Sequence, residues 1–145
     1  MKIESTAFKQ GESIPLKYSC QGTDVNPPLS LSEVPPAAKS LALIMDDPDA
    51  PGSVWVHWVL WNISAQVKEI SENSVPANAV QGKNSWGNSK YGGPCPPSGT
   101  HRYFFKFYAL DTVLSLSTAD AGQLEKAMKG HILAQGDLMG TYRKK

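Results

Sequence analysis

The chain has 145 residues, 41% of them hydrophobic and 19% charged, with a formal net charge of +1. That is enough chain for one domain with a substantial core, and no basic block marks a nucleic-acid footprint. No stretch is long and apolar enough to cross a bilayer, and no signal core follows Met1, so a cytoplasmic protein is expected. Cys20 and Cys95 form neither a disulfide framework nor a metal-ligand spacing, and pair only if the fold brings them together.

Gly11, Pro15, Gly22 and Pro27-Pro28 break the first thirty residues into short pieces. Ile14, Leu16 and Tyr18 alternate as in a short strand. Leu29 to Val34 alternates apolar and polar, which predicts a half-buried strand stopped by Pro35-Pro36. Ser40 to Met45 reads as a buried strand that runs straight into Asp46-Asp47-Pro48-Asp49-Ala50-Pro51. A residue before proline is pushed out of the helical region, so Asp47 and Ala50 are expected to be extended. Asp47 and Asp49 are then expected to project to one side.

From about Val54 to Ile63 comes an apolar run on both parities, interrupted by His57, as in a strand covered on both faces. Residues 64–90 are polar and rich in Ser, Asn and Gly. They predict a long surface excursion with one short strand near Val80. A rigid loop, Tyr91-Gly92-Gly93-Pro94-Cys95-Pro96-Pro97, feeds a second aromatic strand from about Arg102 to Leu110. There His101, Tyr103, Phe105 and Phe107 share a face. Two stiff loops that each deliver a histidine near the start of a strand can build a preformed pocket.

One helix is clear. Asp120 and Gln123 have the spacing of a capping pair, and Leu124, Ala127, Met128, His131 and Ile132 recur at helical spacing. Gly136 is the expected stop, and His131 is expected on the apolar stripe as a structural histidine. Five or more strands with one late helix predict a mainly β chain: a single domain over 1–145, an antiparallel β-sandwich with a few peripheral helices.

Two motifs carry a resemblance: Asp47-Pro48-Asp49-Ala50-Pro51 with His57-Trp58, and Tyr91 to Pro97 with Gly99-Thr100-His101-Arg102-Tyr103. With Phe8-x-x-Gly11, Asn26-Pro27-Pro28-Leu29 and Gly130 to Gly136, the chain resembles the phosphatidylethanolamine-binding protein family. Within it the chain is similar to the short prokaryotic branch called Raf kinase inhibitor-like proteins. Thr100 stands where a bulkier apolar residue is usual, and Leu31 where Trp is common. The resemblance implies the same β-sandwich with its C-terminal helix. It places Asp47, Asp49, Pro51, His57, Tyr91, Cys95, His101 and Tyr103 around one small anion-binding cavity. It implies as ligand a phosphate-type anion or a phospholipid or nucleotide head group. It also raises a protein partner, a kinase or a protease.

Two imidazoles can donate to phosphate oxygens, and the Tyr91 hydroxyl with backbone N–H groups near Gly92 and Gly93 would add neutral donors. A bare carboxylate repels phosphate, so each Asp needs a task. It accepts from a histidine nitrogen, is itself protonated, or faces an ammonium group; the Asp–His–anion arrangement is the simplest. The same groups could act as general acid and base in phosphoester hydrolysis. Against that reading, no Gly-x-Ser-x-Gly or His-Glu-x-x-His motif occurs. The expectation is therefore a binding protein without catalytic residues, cofactor or metal. An exposed aromatic surface could support a homodimer.

Overall fold

The computed structural model describes residues 1–145. Two antiparallel sheets face each other. The smaller comprises β1 (Lys2–Glu4), β2 (Leu29–Ser32) and β5 (Glu69–Ile70), in the order β1-β2-β5. The larger comprises β3 (Ser40–Asp47), β4 (Trp55–Ser64), β6 (Val80–Gln81), β7 (Thr100–Leu110) and β8 (Ile132–Arg143), in the order β6-β4-β3-β7-β8. The mainly β sandwich read from the sequence is thus the fold. The helix α1 (Ala121–Met128) packs on the outer face of the larger sheet.

Side-chain alternation explains the layering. Along β3, Leu41, Leu43 and Met45 point between the sheets, where they meet Trp58, Leu60, Phe105 and Phe107. Ala42 and Ile44 point the other way, toward Val59, Trp61, Leu124 and Met128. β3 is therefore buried from end to end, as its apolar run requires. β4 departs from strict alternation. Met45 pairs with Trp58 and Asp46 with Val56, so His57 is an extra residue on its strand. A bulge of this kind re-aims a side chain. Here it lets His57 and Trp58 both turn inward from the same sheet.

Three expectations need correction. Leu16–Tyr18 is a 3₁₀ turn rather than part of a strand. Pro15 precedes it with φ fixed near the helical value, and only Tyr18 of its three residues is buried. The helix stops at Met128, not at Gly136. Gly130 has φ +84°, a conformation that reverses the chain and strains any other residue. Ile132 to Arg143, read in part as helix, is the longest strand and pairs along β7. Gly136 sits within it because a β-carbon there would meet the Met1 carbonyl. His131 accordingly leaves the apolar stripe. It is exposed, and its Nδ1 lies 2.8 Å from Asp111 Oδ1.

Candidate functional site

A cavity of about 800 Å³ opens at one end of the sandwich. The end of β3 brings Asp47, the start of β4 brings Trp55 and His57, and the start of β7 brings His101 and Tyr103. The loop before β7 closes the side with Lys90, Tyr91 and Cys95. Of the eight residues expected there, Asp47, Pro51, His57, Tyr91, Cys95, His101 and Tyr103 all line this one cavity.

Asp49 does not line it, and its expected position is corrected. The chain turns at Pro48, and Asp47 Oδ1 accepts the Asp49 N–H at 2.7 Å. This Asx turn breaks the alternation that would have put both carboxylates on one side. The Asp49 carboxylate instead takes the Arg102 backbone N–H, Nε and one terminal guanidinium nitrogen, each at 2.9 Å. The hydrogen bond from Arg102 holds the Asp49 carboxyl down at about 2, below the usual carboxylate range. Asp49 ties the turn after β3 to the start of β7.

Asp47 binds a histidine as expected. His101 Nδ1 lies 2.7 Å from Asp47 Oδ2, and both side chains are buried. An ionised carboxylate only accepts, so Nδ1 carries the hydrogen. Both Asp47 oxygens are thereby occupied by protein donors. The neighbouring Asp46 points to the opposite face of β3, where Lys106 Nζ lies 2.9 Å from its Oδ2. Burial raises the Asp46 carboxyl, and Lys106 pulls against that rise.

His57 takes a different partner. Its Nδ1 lies 2.7 Å from the Gly92 carbonyl oxygen, and its ring packs edge-on against Tyr103 and Trp86. Burial lowers the His57 imidazole below its usual value. The Gly92 carbonyl, Asp47, the Gly93 carbonyl and Asp24 oppose that shift without cancelling it.

The neutral donors differ from expectation. The Tyr91 hydroxyl donates to the Tyr18 carbonyl at 2.7 Å. Gly92 N–H donates to the His57 carbonyl, and Gly93 N–H to Asp24 Oδ1. All three are spent inside the wall. Both glycines are needed for close approach: a β-carbon at Gly92 would strike the Trp86 ring, and one at Gly93 the Tyr18 carbonyl. The hydroxyl left over is that of Tyr103, which is buried and has no partner. Burial pushes its ionisation well up, so it remains a donor.

The wall also holds Asp24, Trp55, Trp86 and Lys90, which sequence reasoning did not single out. Trp55 was within reach, since it lies two residues before His57 and shares its side. Trp86 and Lys90 lie in the polar excursion, whose composition hides them. Cys20 and Cys95 are joined by a disulfide that ties the segment after the 3₁₀ turn to the cavity loop. No group of three or more His, Cys, Asp or Glu side chains is arranged to hold a metal ion. No helix is long and apolar enough to cross a membrane.

Comparison with known proteins follows the same outline. The family profile described as phosphatidylethanolamine-binding protein matches residues 4–143. A UPF0098 protein of Methanothermobacter thermautotrophicus is 49% identical over 150 residues, which is 99% of each chain. The crystal structure of a phosphatidylethanolamine-binding protein homologue from Chlamydia trachomatis superimposes with a TM-score of 0.96 at 48% identity. It covers 99% of this chain and 97% of that one. YbcL of E. coli, described as a member of the mammalian PEBP family, superimposes with a TM-score of 0.91 at 32% identity. There the cover is 99% and 98%.

Proposed function

Because the chain belongs to the phosphatidylethanolamine-binding protein family, we propose that its cavity binds a small phosphate-type oxyanion. His57, His101 and Lys90 supply the contacts. One observation carries the reading. Both histidines commit Nδ1 to the protein, His57 to the Gly92 carbonyl and His101 to Asp47, and both rings line the same cavity. Among side-chain nitrogens and oxygens sealed from solvent, only Asp46 Oδ1 and Tyr103 Oη lack a partner. The two Nε2 atoms have no protein partner either, so they reach the open cavity.

The carboxylates do not defeat an anion. Asp47 faces its own partners with both oxygens, and Asp24 takes the Gly93 N–H. An imidazolium at His101 would be balanced by the Asp47 carboxylate it touches. The anion would then meet one charged donor and the field of Lys90, in a site partly screened from water.

Calorimetric titration of inorganic phosphate at about pH 6, within the titration range of histidine, tests this. The wild type should show saturable binding, and His101→Ala should lose roughly tenfold in affinity, ~1.4 kcal/mol. Unchanged binding in folded His57→Ala and His101→Ala proteins would exclude the cavity as the site. Tighter binding of phosphoethanolamine than of phosphate would assign Asp24 or Asp47 to the ammonium group.

A further inference from the structure

We propose that His57 makes the cavity selective for oxyanions that still carry a proton, hydrogen phosphate above all, over sulfate and phosphodiesters. The inference rests on the anion-binding reading above and adds a rule of choice to it.

The argument starts from the His57 ring. A backbone carbonyl can only accept, so the 2.7 Å contact to Gly92 places the ring hydrogen on Nδ1. A neutral ring with its hydrogen on Nδ1 has a bare lone pair on Nε2. That lone pair faces the cavity and needs a donor. The groups around it are Asp47 on β3, His101 and Tyr103 on β7, Asp24 after the 3₁₀ turn, and Lys90 with the Trp86 ring on the cavity loop.

The two histidines differ in what would balance a charge. His101 rests on a carboxylate, whereas His57 rests on a neutral carbonyl and is shut in by two aromatic edges. A carboxylate stands ready to balance charge at His101 and none does so at His57, which is left as an acceptor. Burial lowers the His57 imidazole in the same sense. An anion with one hydroxyl satisfies both rings: its O–H donates to His57 Nε2, and its bare oxygens accept from His101. Sulfate, or a phosphodiester, sets an oxygen lone pair against the Nε2 lone pair and leaves both unpaired. A site built around one hydrogen bond rejects the analogue that cannot make it.

Hydrogen phosphate and sulfate are the deciding pair, because near pH 8 both are tetrahedral dianions and only one holds a proton. Calorimetric competition at about pH 8 should show hydrogen phosphate binding about tenfold more tightly, or better. Methyl phosphate has no proton there and should fall with sulfate. It should recover as the pH drops through about 6, where a monoester takes one up. Dimethyl phosphate, which carries the diester chemistry of a lipid head group, should not recover. His57→Gln, whose amide can turn to donate, should narrow the gap between sulfate and phosphate. Long-range proton–nitrogen spectra of the free wild type should show His57 as the Nδ1–H tautomer.

Equal affinity for sulfate and hydrogen phosphate at about pH 8 would overturn the rule while leaving the anion pocket standing. So would an Nε2–H tautomer of His57. Failure of every anion to bind would remove the pocket reading, and this rule with it.

Discussion

His57 shows how one residue is set by three neighbours at once. The bulge turns it inward, the Gly92 carbonyl holds its hydrogen on Nδ1, and the rings of Trp86 and Tyr103 pack edge-on against it. A histidine held neutral by burial resists protonation when folded and accepts it freely when unfolded. Its contribution to stability is therefore present above about pH 6.5 and is lost as the pH falls toward the depressed folded value. Urea unfolding of the wild type should show a midpoint that declines over that interval. In His57→Gln this part of the decline should disappear. A wild-type midpoint that rises on acidification through the same interval would contradict the assignment. His101 and Asp49 make the complementary point. In sequence Asp49 reads as part of a proline-rich turn and His101 as the start of a strand, both facing one pocket. Yet one faces the cavity through Asp47, and the other is held at the rim by Arg102.

At the scale of elements, α1 follows local rules and β8 does not. The Asp120 side chain accepts from the Gln123 N–H, and the Gln123 side chain accepts from the Asp120 N–H. This capping box is visible in the sequence and present in the fold. Asp120→Ala should cost about 1 kcal/mol, measured as a shift in the urea midpoint at unchanged slope. β8 was hidden because Gly136 and Gly140 interrupt its apolar alternation. Both glycines are dictated by other segments: a β-carbon at Gly140 would strike Ile14 and Phe8, and one at Gly136 the Met1 carbonyl. The pattern there records close approach by the N-terminal segment, and a window of β8 alone cannot reveal that. The strands β3, β4 and β7 were legible for the opposite reason. Each is a long apolar run with its own turn residues at the ends.

On the scale of the whole molecule, the Cys20–Cys95 disulfide is the covalent tie across the cavity. It joins residues 75 apart in sequence, and Cys20 N–H also donates to the Pro94 carbonyl. Closing so long a loop constrains the unfolded chain. The Cys20→Ser/Cys95→Ser protein should therefore lose roughly 2–5 kcal/mol of stability. It should also bind phosphate less tightly, because the tied loop carries the Gly92 carbonyl that orients His57. A double variant as stable as the wild type would show that the bridge adds nothing to the fold.

What the sequence by itself determined is the family, the mainly β fold and the place of the two histidine-bearing loops. The sandwich follows from the apolar periodicity of β3, β4 and β7. Two proline-rich loops each deliver a histidine to the start of a strand, and the resemblance those motifs carry implies the other residues of the cavity. Those features are local: they depend on parity along a strand and on the restricted backbone around proline, which neighbours in sequence decide. The tertiary structure alone decided which carboxylate serves which histidine, that Tyr103 rather than Tyr91 keeps a free hydroxyl, and that Cys20 meets Cys95. It also decided that Gly92 and Gly93 spend their N–H groups inside the wall. Hydrogen-bond partners of this kind are assigned by competition among groups from distant segments. Proximity in space settles that competition, and no spacing along the chain encodes it.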